Sequence, residues 1–287
     1  MKFVSRTEVN KGWSGDRKYC AAAEDGSRFF LRVAPPEKAE RTRRAFEFQR
    51  RVAALGIPVS LPLEISDGPD GSVSALYTWI DGSDAEEAVP ALPAEVQRRL
   101  GQEAGRLLRR IHSLPAPEDA PDWEERFNRK MDRKIESYLA CPIKVPGAEC
   151  FIDYMEAHRA LLRGRPQCFQ HGDYHIGNMM LRDGEIVIID FDRYDFGDPW
   201  EEFNRIVFCA EASRPFASGM VDGYFGGSVP PEFWELLALY VSSNALSSLP
   251  WAIPFGEGEV HKFTAQLLEI MDWYDHMRSV VPSWYGA

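Results

Sequence analysis

Over the first eighty residues, apolar and polar positions alternate as in strands, with one helical interruption. Residues 16–23 and 27–33 have strand character, and Glu24-Asp25-Gly26 between them supplies the Asp-Gly of a tight hairpin. Pro35 and Pro36 end that pattern. From Ala39 to Leu55, Ala45, Phe48, Val52 and Leu55 recur at helical spacing, and Gly56 provides the stop. Residues 61–65 and 73–80 read as further strands, joined by the turn-rich stretch 66–72. Asp81-Gly82-Ser83 then reads as a hinge.

Beyond the hinge the pattern turns helical. Val96, Leu100, Ala104, Leu107, Leu108 and Ile111 form one amphipathic stripe across 93–113. Trp123, Phe127, Met131, Ile135 and Leu139 form a second, and 150–162 a third. A strand-like interruption runs from Cys168 to Asp190. Helices resume at Pro199, where Asp198-Pro199-Trp200-Glu201 offers an N-cap acid, a proline at the first helical position and an early glutamate. Strands first and helices after, with a hinge between, predict an α+β protein in two lobes, 1–80 and 81–287.

Charge narrows the partners. The net charge of −11 disfavours nucleic acid and anionic membranes, which reward basic surfaces. The surplus is uneven: residues 1–82 hold 13 Lys and Arg against 11 Asp and Glu, leaving 20 against 33 for the rest. An acidic C-terminal part serves solubility, and it also suits a cationic substrate drawn into an acidic cleft. The five cysteines are scattered without a Cys-x-x-Cys pair, so neither a disulfide framework nor a zinc site is expected. No uninterrupted apolar run approaches the roughly 20 residues of a membrane span, and MKFVSRTEVN lacks the apolar core of a signal peptide. The expectation is a reduced, cytoplasmic protein.

The most informative stretch is Cys168-Phe169-Gln170-His171-Gly172-Asp173-Tyr174-His175-Ile176-Gly177-Asn178. Further on, the run Ile186-Val187-Ile188-Ile189 ends in Asp190, and Arg182-Asp183-Gly184-Glu185 marks a tight turn before it. Residues 179–181 and 186–189 should therefore form a hairpin with Asn178 and Asp190 together at its open end. Magnesium prefers hard oxygen ligands, so a carboxylate and an amide oxygen there can hold it against phosphates. Asp173, on the loop leading in, is placed to take the proton of an acceptor hydroxyl. Asp195-Phe196-Gly197 lies beyond the hairpin and reads as loop structure, and Asp198 as a helix cap.

His171-Gly172-Asp173 with Asn178, followed by Ile189-Asp190-Phe191-Asp192, resembles the aminoglycoside phosphotransferase and choline kinase superfamily. The resemblance spans most of the chain and implies a protein-kinase-like fold, Mg2+, and ATP or GTP held between lobes. Within it, Asp173 is the base, and Asn178 and Asp190 are the metal ligands. Backbone groups of the hinge 77–82, at Trp79 and Ile80, read the nucleotide base. The family pattern asks for a basic residue on the third strand and a helical acid paired to it. Arg32 fills the first place, where the family usually has lysine, and Glu47 the second, with Glu40 next. Gly12-Trp13-Ser14-Gly15-Asp16 stands where a phosphate-covering loop belongs. His171 and His175 are expected to support the loop.

Acceptor contacts are expected from the later acids, Glu211 first, with Asp192 and Glu202. An aminoglycoside or similar cationic molecule agrees with both the resemblance and the acidic surplus. Choline or another small alcohol, caged by tryptophans, and a protein hydroxyl are the alternatives.

Overall fold

The computed structural model describes residues 2–9 and 15–286. In chain order the elements begin with β1 (Phe3–Glu8), β2 (Arg17–Ala23), β3 (Arg28–Ala34), α1 (Ala39–Ala54), β4 (Pro62–Asp67) and β5 (Val73–Thr78). Next come β6 (Ser83–Asp84), α2 (Ala85–Ala88), α3 (Ala94–Ile111), α4 (Trp123–Ala140) and α5 (Glu149–His158). Then follow β7 (Cys168–Gln170), β8 (Met179–Arg182), β9 (Glu185–Ile188) and β10 (Asp195–Gly197). The chain closes with α6 (Ile206–Ala212), α7 (Arg214–Phe225), α8 (Pro231–Ala252) and α9 (Glu257–Trp273).

Contact density divides the chain into two compact units. One comprises Met1–Ala88, His171–Asp173 and Gly177–Tyr194; the other Val89–Gln170, Tyr174–Ile176 and Asp195–Ala287. The pattern-based division at 80/81 differs from this in two ways. The first unit continues to Ala88 because β6 pairs with β8, Ser83 facing Leu181. It also takes in the 177–194 hairpin, whose Ile188 N–H donates to the Pro58 carbonyl at 2.9 Å.

In the first unit a five-stranded antiparallel sheet has the order β1-β2-β3-β5-β4. The period of two along β3 separates its faces. Leu31 packs with Ala21 and Leu76, joined by Phe29 and Val33. Phe30 belongs to the opposite cluster, where Phe46 of α1 meets Ala75 and Tyr77. α1 buries Thr42, Ala45, Phe46, Gln49 and Val52. The expected stripe through Phe48 and Leu55 is thus rotated by part of a turn, and both of those residues are only partly covered. β1 escapes the sequence pattern because it is an edge strand, exposed at all but one of its positions.

The second unit is mainly helical. α3 and α7 pack backbone to backbone: a Cβ at Gly101 or Gly105 would collide with carbonyls of Phe216 and Met220, and one at Gly219 or Gly223 with those of Arg98 and Gln102. β7 and β10 form a short antiparallel ladder, Gln170 facing Asp195. Among the described residues one helical stretch, Pro231–Phe255, has the length and composition to cross a membrane, yet 67% of its most apolar window is buried in the protein. Glu235, Asn244 and several serines interrupt its apolar run, which is why no uninterrupted span is visible in the sequence. It is a core helix of this unit.

Candidate active site

The candidate site is built on the β8–β9 hairpin. Asp183 (φ 54) and Gly184 (φ 80) turn the chain with two left-handed residues, the geometry that matches strand twist. The turn fixes the register Met179↔Ile188, Met180↔Val187, Leu181↔Ile186. One step further, the N–H of Ile189 donates to the Asn178 carbonyl at 3.1 Å. Asn178 thus faces Ile189, and Asn178 and Asp190 are both at the open end of the hairpin, where the spacing predicts them. Asp190 has φ 62, a left-handed conformation that aspartate tolerates better than most side chains. Its side chain is 39% exposed.

The loop before the hairpin is tied to the same frame. His171 is fully buried, and its Nε2 lies 2.9 Å from the carbonyl oxygen of Ile189. A carbonyl can only accept, so Nε2 carries the hydrogen and Nδ1 accepts the Asp173 N–H at 3.3 Å. This assigns the supporting role expected of His171. The His175 ring packs on Phe208, with centroids 5.1 Å apart. Asn178 Nδ2 donates to the Asp173 carbonyl at 2.9 Å and to its Oδ2 at 3.2 Å. That donation turns the amide oxygen of Asn178 away from Asp173. Arg193 Nε lies 3.7 Å from the same carboxylate oxygen.

Arg32 lies on the face of β3 that carries Phe30, opposite Lys18 of β2, and its guanidinium is buried. It does not meet Glu47. Glu47 is exposed and sits 3.4 Å from Arg50, one turn along the same helix; Glu40 pairs with Arg44 at 2.7 Å. The reason is the rotation of α1, which directs Phe46 and Gln49 inward and leaves Glu47 in water. Asp16 takes the guanidinium instead. Arg32 Nε donates to Asp16 Oδ2 at 2.6 Å, and Nη2 also reaches Asp16. Lys38 Nζ donates to Asp16 Oδ1 at 3.1 Å, and the Asp16 carboxylate has no exposed surface. Arg32 Nη2 also pairs with Asp192, and Nη1 lies 3.9 Å from Asp190 Oδ1. Burial foremost lowers the ammonium pKa of Lys18, with Asp190 opposing. One signal for Asp16 was present in the sequence: Asp16 and Lys18 share a strand face at a period of two, and β3 is the strand hairpinned to them. Gly12, Trp13 and Ser14 of the expected phosphate-covering loop lie outside the described residues.

The remaining expected residues divide. Trp79 and Ile80 follow β5; the Arg28 guanidinium lies 5.9 Å from the Trp79 ring centroid, and Ile80 is buried. Asp192, expected at the acceptor, is engaged by Arg32. Glu202, expected at the acceptor, is buried, with its carboxylate 3.4 Å from His112 Nε2. Glu211 is exposed and accepts from Gln266 Nε2 at 2.9 Å. Asp195 lies in β10 with its side chain on Arg126. Asp198 is a buried hub, accepting from Trp200 N–H at 2.9 Å as a cap does, but also from Arg165 Nε at 2.6 Å and the Tyr240 hydroxyl at 2.7 Å.

Comparisons with known proteins follow from this geometry. The model of the family described as "Phosphotransferase enzyme family" matches residues 5–236. No protein among the curated sequences is similar enough to count as a match. Among solved structures, an amicoumacin kinase in complex with AMP-PNP and Ca2+ superimposes with a TM-score of 0.68 at 15% identity, covering 96% of this chain and 90% of that one. The aminoglycoside phosphotransferase APH(4)-Ia gives 0.70 at 14% identity over 93% and 92%. A GDP complex of a mutant aminoglycoside 2'-phosphotransferase-IIIa gives 0.70 at 14% identity over 94% and 92%. These likenesses establish the kinase-like α+β fold, and the family match across most of the sequence establishes the rest: the chain belongs to the phosphotransferase enzyme family, as an enzyme that transfers a phosphoryl group to a hydroxyl acceptor.

Proposed function

We propose that the enzyme transfers the γ-phosphoryl group of ATP or GTP to a hydroxyl of a small cationic molecule, an aminoglycoside or a compound of similar charge. One observation carries the reading: Asn178 ties the backbone and carboxylate of Asp173 to the strand end that bears Asp190. The group that takes a proton and the groups that hold a cation thus share one rigid frame, which is what phosphoryl transfer by positioning needs.

Asp173 accepts the proton of the acceptor hydroxyl as its oxygen bonds to the γ-phosphorus, and the bond to the β-bridging oxygen breaks to release the nucleoside diphosphate. Asn178 Oδ1 and the Asp190 carboxylate are a hard-oxygen pair of the kind Mg2+ accepts. Among the described residues no group of three or more His, Cys, Asp or Glu is gathered as a metal site. A two-ligand site of this sort is one that phosphate oxygens and water complete, and Mg2+ supplies charge neutralisation on the phosphates when bound. Arg32 contributes forked donors for phosphate oxygens. The backbone at Trp79 and Ile80 presents hydrogen-bonding groups to the base. Residues 1–80 serve the nucleotide, and 81–287 carry the catalytic loop and the helical acceptor region.

The cationic acceptor is supported by the acidic surplus beyond residue 82 and by the exposed Glu211. Similar folds belong to an amicoumacin kinase and aminoglycoside phosphotransferases. Free thiols at all five cysteines fit a reducing cytoplasm. The test is a coupled assay of nucleotide consumption with Mg2+ across aminoglycosides, macrolides, choline, homoserine and methylthioribose. Acceptor-dependent consumption strongest with polycationic compounds supports the reading. Preference for a neutral alcohol removes the acceptor class, and no nucleotide turnover with any acceptor removes the whole.

A further inference from the structure

Arg32 is buried, and a buried guanidinium is stable only where carboxylates and hydrogen bonds compensate its desolvation. Three carboxylates share it unequally. Asp16 is wholly enclosed and grips two guanidinium nitrogens, with Lys38 Nζ on its other oxygen. Asp192 also meets Nη2, Asp190 lies 3.9 Å from Nη1, and these two keep 24% and 39% of their side-chain surface in solvent. With Lys18 and Lys38, the cluster formally balances three cations against three anions.

We propose that Asp16 is a positioning residue for nucleotide binding: it anchors Arg32 through Nε and Nη2, while Asp192, on Nη2 as well, is an exchangeable partner that phosphate oxygens displace. The inference rests on the nucleotide reading of this site and assigns a role to a residue that the helix α1 acids do not fill. Asp16 is suited to the anchor because it immediately precedes β2, whose first residue, Arg17, pairs with Val33 of β3, and because its carboxylate has no exposed surface. Its second oxygen is already occupied by Lys38, so its charge is compensated on both sides. Asp192 has the opposite character. It sits in a short 3-10 turn, Phe191–Arg193, and a nucleotide brings anionic oxygens that compete directly for the same guanidinium nitrogen. Without the Asp16 carboxylate, Arg32 is drawn entirely to Asp192 and Asp190, away from phosphates and onto the carboxylate that a cation needs.

The experiment measures the affinity of AMP-PNP with Mg2+ by calorimetry, alongside thermal unfolding, for the full chain and its variants. Asp16→Asn keeps the shape and should weaken binding ~10- to 100-fold, the range of a lost charge-assisted contact. Adding Asp192→Asn to it should recover most of the loss, because the competitor is removed. In an Arg32→Ala background, Asp16→Asn should change affinity no further. Asp192→Asn alone, which leaves the buried anchor intact and does not depend on the folding of Asp16→Asn, should bind nucleotide several-fold more tightly. Asp16→Asn with wild-type affinity, or weaker binding by Asp192→Asn, overturns the inference. If the wild-type chain binds no nucleotide, the functional reading fails instead.

Discussion

Gly172 and Arg193 are in backbone contact: a Cβ added to Gly172, whose φ is 83, would fall on the carbonyl oxygen of Arg193. The glycine of the His-Gly-Asp segment is therefore required twice, by its left-handed conformation and by the strand-end turn pressed against it. Gly172→Ala must push the loop off that carbonyl and carry Asp173 with it. A displacement on the scale of 1 Å can cost about 100-fold in rate, so kcat/KM should fall by that order. Gly184→Ala is the control, with φ 80 but nothing within 4 Å of its added Cβ. It should lose about 1 kcal/mol of stability and little activity. Similar activity losses in both variants would show that backbone strain alone, not the Arg193 contact, governs the loop.

Asp173 is held by the Asn178 amide and reached by Arg193, with 20% of its side chain exposed. If it takes the acceptor's proton, Asp173→Ala should lower kcat by roughly 10²–10⁴, with nucleotide affinity nearly unchanged because the carboxylate acts on the acceptor. Single-turnover rates and nucleotide titration separate the two. Unimpaired turnover would remove Asp173 from the chemistry.

Asp190 and Asp195 make the second comparison. Asp190 ends the hairpin beside Asn178, whereas Asp195 pairs with Arg126 in a different ladder. Asp190→Asn should abolish Mg2+-dependent turnover, and Asp195→Asn should keep most of it. The reverse result would place the cation at the Asp-Phe-Gly segment.

What could be read from the sequence was local. The turn at Asp183-Gly184 has a length that fixes its register, so the placement of Asn178 and Asp190 at one end of the hairpin follows from spacing alone. The hairpin at Asp25-Gly26 is legible for the same reason. Features set by distant parts of the chain were not. Whether α1 turns Phe46 or Phe48 inward depends on the sheet beneath it, and that choice decides between Glu47 and Asp16 as the partner of Arg32. Glu202 reads as an available acid until His112, ninety residues earlier, is brought against it. β10 carries a weak strand signal because, among the described residues, it pairs only with the three residues of β7.

Lys134 offers a prediction about stability. It lies on α4; burial foremost, then Lys130, pushes its ammonium well below the ordinary value of 10.5, Arg205 adds to the effect, and Glu201 opposes it. Between the lowered folded value and the ordinary one, the unfolded chain binds more protons than the folded one. Stability should therefore rise as pH increases through that window and level off above it. Lys134→Met should remove that rise and have a higher Tm at neutral pH, since an apolar side chain replaces a partly covered charge whose desolvation is poorly compensated. Thermal unfolding from pH 7 to 10 in both proteins checks this. An unchanged pH slope in the variant would mean that other groups set it.

The acidic surplus gives the last prediction. Thirty-three acidic against 20 basic residues beyond position 82 aid solubility, and the same field draws cations to the surface. If it captures a polycationic acceptor, the acceptor's KM should rise with salt up to physiological ionic strength, where the Debye length falls to about 8 Å. The effect should appear in KM and not in kcat, because screening weakens the encounter and leaves the hairpin frame of Asp173, Asn178 and Asp190 untouched. Glu211→Gln should flatten the salt dependence if that exposed carboxylate, held by Gln266 at 2.9 Å, belongs to the acceptor surface. A neutral osmolyte at matched osmolarity controls for viscosity and water activity. A salt-independent KM for the best acceptor would reduce the acidity to a solubility device, and it would turn the search toward neutral alcohols.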